Sequence, residues 1–178
     1  NRVAGVQIPV IDLFAGPGGL GEGFSRYRQK RKRAFKIRLS IEMDPVAHQT
    51  LLLRSFYRQF DPANVPATYY NYLRGTASRD ELEAQFPKEF SAAREEAWQA
   101  TLGANDPEEV NQRIAKALGG NTDNWLLIGG PPCQAYSLVG RSRIIGKMGR
   151  EEYEKDHRHF LYREYLRIIA KHQPAVFV

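Results

Sequence analysis

The sequence predicts an α/β domain, doubly wound around a mostly parallel sheet. Three observations carry that expectation. Short apolar runs of strand length alternate with longer stretches of helical period. A glycine-rich turn, AGPGGLG (15–21), directly follows the first run. A later run ends in Gly129-Gly130-Pro131-Pro132, which forbids an immediate helix. The length of 178 residues suits one domain, and 42% hydrophobic residues supply a core. No apolar run approaches the ~18 residues of a membrane span. The N-terminal NRVAGVQIPV lacks a charged head followed by an apolar stretch, so neither a secretory leader nor membrane contact is expected. The single cysteine, Cys133, excludes an internal disulfide framework and a multi-cysteine metal site. No metal is expected, and a reducing, cytoplasmic setting fits.

In chain order, residues 9–14 (PVIDLF) are expected as a buried strand opening through the glycine turn into a helix. Residues 35–42 (FKIRLSIE) form the second strand, followed by a helix over about 45–56 with Val46, Leu52 and Leu53 among its apolar residues. Residues 67–73 (ATYYNYL) are expected as the third strand. Ser78 with Glu81 reads as a capping box, and so does Asp106 with Glu109, where Pro107 takes the first helical position. Val110, Ile114 and Leu118 share one face of the second of these helices, and Gly119 ends it. The stretch at about 78–120 is therefore expected as an acidic helical insertion with a polar outer face. Residues 124–130 form the next strand, and a basic, glycine-containing loop runs on to about Asp156. Residues 158–173 read as a helix with Leu161, Tyr165, Ile168 and Ile169 inward, and AVFV (175–178) begins a further strand. No internal repeat or linker marks a second domain.

Charge is unevenly spread. The formal balance is +6, yet residues 80–109 hold nine acids and two bases. Eight bases without an acid fall between Arg26 and Arg38, and four more between Arg141 and Arg150. Such an excess suits a polyanionic partner, a nucleic acid being the commonest. The first cluster is equally compatible with a solvated helix end or loop.

Gly16, Gly18 and Gly21 satisfy the G-x-G-x-x-G spacing after a strand, and Glu42 lies where a ribose-binding acid is expected. A carboxylate there accepts hydrogen bonds from both hydroxyls of an adenosine ribose, without choosing among NAD, FAD and S-adenosylmethionine. In a doubly wound sheet, ligands sit beyond the carboxyl ends of the strands, where strand order reverses. The loops after the first and fourth expected strands are thus predicted to be neighbours. Cys133 follows two prolines at the second of these ends. A packing thiol needs no such lead-in and no polar Gln134 after it, so the context favours a nucleophile. A nucleophilic thiol needs a lowered pKa or a base, and Arg141 and Arg143 are candidates for the cationic field.

DLFAGPGGLGEGF (12–24) resembles the first motif of the cytosine-5 DNA methyltransferases, and GGPPCQAYS (129–137) resembles their catalytic Pro-Cys motif. DHRHFLYREYLRII (156–169) is similar to the stretch where that family's catalytic loop gives way to a helix. The resemblance covers about residues 8–56 and 124–178. It implies a Rossmann-like sheet of the S-adenosylmethionine-dependent methyltransferase type, with double-stranded DNA as the partner. It implies that Cys133 adds to ring carbon 6 of a flipped-out cytosine, so that carbon 5 takes a methyl group from S-adenosylmethionine. Phe14, Ala15, Gly16, Gly18 and Gly19 would line the methionine portion. Glu42 would hold the ribose, Met43 pack on the adenine and Leu161 close the pocket, while Pro132 shapes the space between base and cofactor. Gln134, Ser137, Arg141, Arg143 and Arg158 would face DNA. An acid normally ends the family's third strand to bind the adenine amino group, and Asn71 stands nearest that place.

The resemblance also implies what should lie elsewhere. The family's catalytic glutamate belongs to a Glu-Asn-Val motif expected just past Val178, and the target-recognition region is absent from these residues. They are expected to be the front half of a catalytic domain, inactive alone, from a monomeric enzyme with a cognate restriction endonuclease as functional partner. A dehydrogenase fits the glycine spacing but leaves Pro131, Pro132 and Cys133 unexplained. A tRNA cytosine-5 methyltransferase and a non-catalytic DNA-binding partner of the same fold stay as alternatives.

Overall fold

The computed structural model describes residues 7–30, 32–120, 123–131 and 161–178. In chain order the elements are β1 (Ile8–Leu13), α1 (Gly19–Arg26), β2 (Arg28–Gln29), β3 (Lys32–Arg33), β4 (Phe35–Glu42) and α2 (Pro45–Arg58). Then come α3 (Ala67–Leu73), α4 (Arg79–Gln85), α5 (Pro87–Glu96), β5 (Ala97–Gln99), α6 (Pro107–Leu118), β6 (Leu126–Gly129), α7 (Leu161–His172) and β7 (Val176–Phe177). Five strands form one sheet in the order β5-β4-β1-β6-β7, and every neighbouring pair is parallel. β2 and β3 make a separate antiparallel hairpin.

Both faces of the sheet are covered, as parallel strands require. Ile11, Leu13, Leu39, Ile41 and Leu127 pack with Val110, Ile114 and Leu118 of α6 and with Tyr165 and Ile168 of α7. On the other face Val10, Ile37, Leu126 and Ile128 pack with Phe24 of α1. A third cluster joins α2, α3, α4 and α5 through Leu51, Phe56, Tyr69, Leu82 and Phe90. The rings of Phe56 and Phe90 stack there with centroids 4.0 Å apart.

The caps act largely as the sequence reading expects. Asp44 accepts from the Ala47 N–H at 2.7 Å, with Pro45 in the first turn of α2. Ser78 and Glu81 close their reciprocal box. The second expected box does not form: Asp106 accepts from the Glu108 N–H, and the Glu109 carboxylate receives the Asn105 amide instead.

Two corrections matter for the site. Residues 67–73 are the helix α3, not the third strand. Their Thr and Tyr residues favour strands, but packing overrides propensity. Tyr69 is buried against Phe56 and Tyr57, while Tyr70 turns outward. The third parallel strand is β5, three residues that follow α5 with no turn between them. The stretch at 78–120 is therefore not a separate insertion. It holds the sheet's edge strand, and α6 seals the main core. The additional helical layer is α3 to α5, between α2 and β5.

Strand order reverses between β1 and β6, whose ends pair Leu13 with Gly129. A Cβ on Gly129 would lie 2.3 Å from the Leu13 carbonyl oxygen, so only glycine admits this approach. At Gly130 a Cβ would meet nothing within 4 Å. Gly129→Ala is expected to cost about 1–3 kcal/mol in urea unfolding of the folded chain, as overpacking does. Gly130→Ala is expected to cost clearly less, and equal losses would show that the contact does not constrain the strand end.

Candidate functional site

The carboxyl ends of β1, β4, β5 and β6 share one edge of the sheet. There the chain leaves β1 through Phe14, whose φ of 54° is unusual for a non-glycine residue. Gly16 and Gly18 follow with φ of 57° and 84°, and Gly18 caps α1. The Ala15 N–H donates to the Ile41 carbonyl at 3.0 Å and the Gly18 N–H to the Ala15 carbonyl at 2.9 Å, so the loop folds over β4.

Glu42 ends β4 with 9% of its surface exposed. Its Oε2 accepts from the Gly16 N–H at 2.7 Å and its Oε1 from the Asp44 N–H at 2.8 Å. One carboxylate thus ties the glycine loop to the start of α2. Each oxygen keeps lone-pair capacity for a further donor. Met43 beside it is 48% exposed, free to cover a planar ring. Leu161 is buried at the start of α7, and a Cβ on Gly103 would lie 3.5 Å from its Cδ2. Leu161 therefore packs on the turn that follows β5.

Asp12 lies beneath this edge, on the β1 face toward α1. It is 1% exposed, and a Cβ on Gly21 would come within 2.7 Å of its Oδ2. That oxygen has no hydrogen-bond partner. Burial pushes the Asp12 carboxyl from 3.8 up to about 7; Arg58 and the Gly21 N–H pull it down, and Glu42 adds to the rise. Arg58 is itself buried, and its guanidinium binds Glu22 of α1 at 3.1 Å and Glu96 of α5 at 2.5 Å.

The structure brings Phe14, Ala15, Gly16, Gly18, Gly19, Glu42 and Met43 together at this edge. Asn71 does not join them. It is exposed on α3, where its Oδ1 accepts from Arg74 and its carbonyl from Thr76. The correction follows from the reassigned strand: the residues after β5 are Ala100, Thr101 and Leu102, and no acid appears before Asp106, which caps α6. Here Ala100 donates its N–H to the Glu42 carbonyl, and Asn105 Oδ1 accepts from the Thr101 N–H at 2.8 Å. Thr101 and Asn105 are the polar residues that sequence reasoning missed, because a three-residue strand leaves no periodic signal. Pro132, Cys133, Gln134, Ser137, Arg141, Arg143 and Arg158 lie outside the described residues. The described chain reaches Pro131, directly before the Pro-Cys pair.

A doubly wound sheet with a glycine loop and a strand-end acid beside its reversal point is a Rossmann-like α/β arrangement. The profile of the C-5 cytosine-specific DNA methylases matches residues 82–178, and the chain belongs to that family. It is similar to the type II methyltransferase M.Bpa9945I of Bacillus paralicheniformis, with 35% identity over 95% of this chain and 39% of that protein. It is also similar to the type II methyltransferase M1.HphI of Haemophilus parahaemolyticus, with 27% identity over 97% of this chain and 32% of that protein. The putative type II methyltransferase M.OihORF3336P of Oceanobacillus iheyensis is 28% identical over 88% of this chain and 25% of its own length. The chain thus spans well under half the length of these relatives. No solved structure matches it significantly. Among the described residues, no helix is long and apolar enough to cross a membrane.

The raised Asp12 pKa gives a pH dependence of definite sign. Between about pH 4 and 7 the folded chain keeps a proton that the unfolded chain releases, so this group's contribution to stability falls as pH rises through that window. Asp12→Asn keeps the shape and an acceptor for the Gly21 N–H while removing the titration. Thermal melts of the variant are expected to lose less stability than the parent between pH 4 and 7. Parallel melting curves across that range would show that Asp12 does not titrate there.

Proposed function

We propose that the chain carries the cofactor-binding and nucleophile-bearing part of a DNA (cytosine-5-)-methyltransferase that uses S-adenosylmethionine, in a restriction-modification setting. The observation that carries this reading is Glu42 held against the glycine loop, next to the strand end that leads into Pro132 and Cys133. The residues fit an adenosine-bearing cofactor. A Cβ at Gly16 or Gly19 would meet nothing within 4 Å, which leaves the loop open to a ligand. Glu42 is nearly buried and retains acceptor capacity for two ribose hydroxyls.

When bound, S-adenosylmethionine supplies an electrophilic methyl group. In this reading Phe14, Ala15, Gly16, Gly18 and Gly19 line its methionine portion, Met43 covers the adenine, and Leu161 with Pro132 excludes water from the pocket. Thr101 and Asn105 replace Asn71 as the polar groups beside the adenine edge. The Cys133 thiolate adds to carbon 6 of a flipped cytosine, which makes carbon 5 nucleophilic enough to accept the methyl group. With S-adenosylhomocysteine left behind, the carbon 5 proton passes to solvent, its bonding pair reforms the 5,6 double bond, the bond from carbon 6 to sulfur breaks, and the Cys133 thiolate is regenerated. Gln134, Ser137, Arg141, Arg143 and Arg158 hold the DNA beside the nucleophile.

Two measurements separate the two halves of the reading. In calorimetric titration of the full-length chain, Glu42→Ala is expected to weaken S-adenosylhomocysteine binding by about 1–3 kcal/mol, the cost of a lost charged hydrogen bond. Equal binding by NAD would sink the cofactor assignment. A duplex carrying 5-fluorocytosine cannot complete elimination, so it should form an adduct that persists through denaturing electrophoresis. Cys133→Ala should abolish the adduct and leave cofactor binding intact, and an adduct formed by this variant would remove Cys133 from the mechanism.

A further inference from the structure

The longest basic run of the sequence does not lie at the edge just described. α1 starts at the glycine loop and runs eight residues, about 12 Å, toward the amino ends of the strands. The β2–β3 hairpin follows there, and β4 begins immediately after it. The Gln7 amide binds the Arg33 carbonyl, which fixes the hairpin beside the start of β1. The seven steps of β4 from Phe35 to Glu42 span about 23 Å, so the hairpin stands that far from Glu42.

Three adjoining depressions join the two ends. The first, about 440 Å³, is lined by Arg54, Tyr57, Tyr69 and Tyr70. It begins beside the glycine loop, since a Cβ on Gly18 would lie 3.8 Å from Arg54 Cδ. The second, about 280 Å³, shares Glu22, Arg26 and Tyr57 with the first and Arg28, Arg33 and Pro62 with the third. The third, about 650 Å³, opens between the hairpin and the segment after α2, with Lys32 on its wall. Together they make one furrow down the flank of α1.

Its chemistry is specific. Five arginines and one lysine line it, against the acids Glu22 and Asp61. Arg58 is taken up by Glu22 and Glu96, which leaves Arg26, Arg28, Lys32, Arg33 and Arg54 as the cations that give the furrow its charge. Glu22 is bound by both Arg26 and Arg58, so it does not offer a free negative charge. Arginine forks match phosphate oxygens in a way that lysine does not, and tyrosine hydroxyls also bind phosphate. A protein partner would need an apolar anchor at the centre. Here the exposed apolar groups Leu73 and Tyr70 sit together in the first depression, at one end of the furrow, and the central depression offers only Pro62 and Tyr57 among its arginines. The acidic stretch at 80–109 belongs to α4, α5, β5 and α6, and this asymmetry directs a polyanion toward the furrow.

We propose that this furrow binds the sugar-phosphate backbone of DNA away from the target base, as a second contact surface distinct from the strand-end edge that holds Glu42 and the glycine loop. The proposal rests on the reading that DNA is the substrate. Its occupant is the flanking arm of the target duplex, because the furrow runs without a break from the glycine loop to the hairpin.

The test uses the full-length chain with mixed-sequence duplexes of about 12 and about 40 base pairs, titrated over a range of salt. With the longer duplex, Lys32→Ala/Arg33→Ala is expected to make the slope of log K against log salt shallower by about two units, one for each lost phosphate contact. Lys88→Ala, an exposed charge on α5, removes a cation outside the furrow and should leave the slope unchanged. An unchanged slope in the double variant, or an equal change in Lys88→Ala, overturns the proposal. A loss confined to the longer duplex identifies the flanking arm. Two short duplexes per parent chain, falling to one in the variant, would put a second duplex in the furrow and overturn the flanking-arm assignment. Methyl transfer is measured alongside and should keep its kcat at saturating DNA. Its absence from parent and variant alike would refute the substrate reading, while the salt slopes would still decide the furrow.

Discussion

The site depends on one carboxylate. Glu42 stands at the end of β4, where the backbone can no longer pair with β1, and it accepts from Gly16 on one side and Asp44 on the other. Charge-assisted bonds of this kind contribute about 1.5–3 kcal/mol each. That is enough to offset the cost of about 1–3 kcal/mol for holding Phe14 at positive φ. Without the acid the loop after β1 would keep only the Ala15–Ile41 backbone bond to β4, and α2 would lose a constraint on its first turn. The group suited to bind a ribose is also the group that shapes the loop around it.

What the sequence disclosed followed from how each element is stabilised. β1 and β6 are buried on both faces, so they read as nearly continuous apolar runs, whereas β4 alternates Phe35, Ile37, Leu39 and Ile41 with polar residues, of which Lys36 and Arg38 are exposed. α2 and α6 carry prolines in the first turn and side-chain caps, which mark their starts without reference to the rest of the fold. Phe14 to Gly19 and Glu42 were legible for the same local reason, since a strand, a glycine turn and a strand-end acid are spaced by the chain itself. β5 was not legible. Its three residues join the sheet only because α5 delivers them beside Ser40, Ile41 and Glu42, a tertiary cause with no local mark. Asn71 was misplaced by that omission, because the strand it was thought to end is a helix held by Tyr69 in an aromatic cluster.

Charge shows the opposite failure. The run from Arg26 to Arg38 was plain in the sequence, but its location was not. A glycine loop, a helix of eight residues and a hairpin carry it to the amino ends of the strands. Composition reports how much charge a surface has, and only topology reports which edge receives it.

α1 joins the two edges, and its hold on the sheet is polar as well as apolar. Phe24 packs into the core beneath it, yet a single aromatic contact would leave the helix free to roll. Rolling is opposed on two sides of the same turn. Gly21 approaches Asp12 so closely that no side chain could intervene, and its N–H faces a buried carboxyl. The next residue, Glu22, is clamped by Arg58, which is held in turn by Glu96 at the end of α5. A buried pair of this kind adds little net stability, because desolvation offsets most of the attraction, but it specifies orientation. The acid in the floor of a basic furrow is thus a fixing point for the helix. Arg58, neutralised from both sides, transmits the position of α5 and β5 to the glycine loop, so the strand that the sequence concealed helps to set the loop that it displayed.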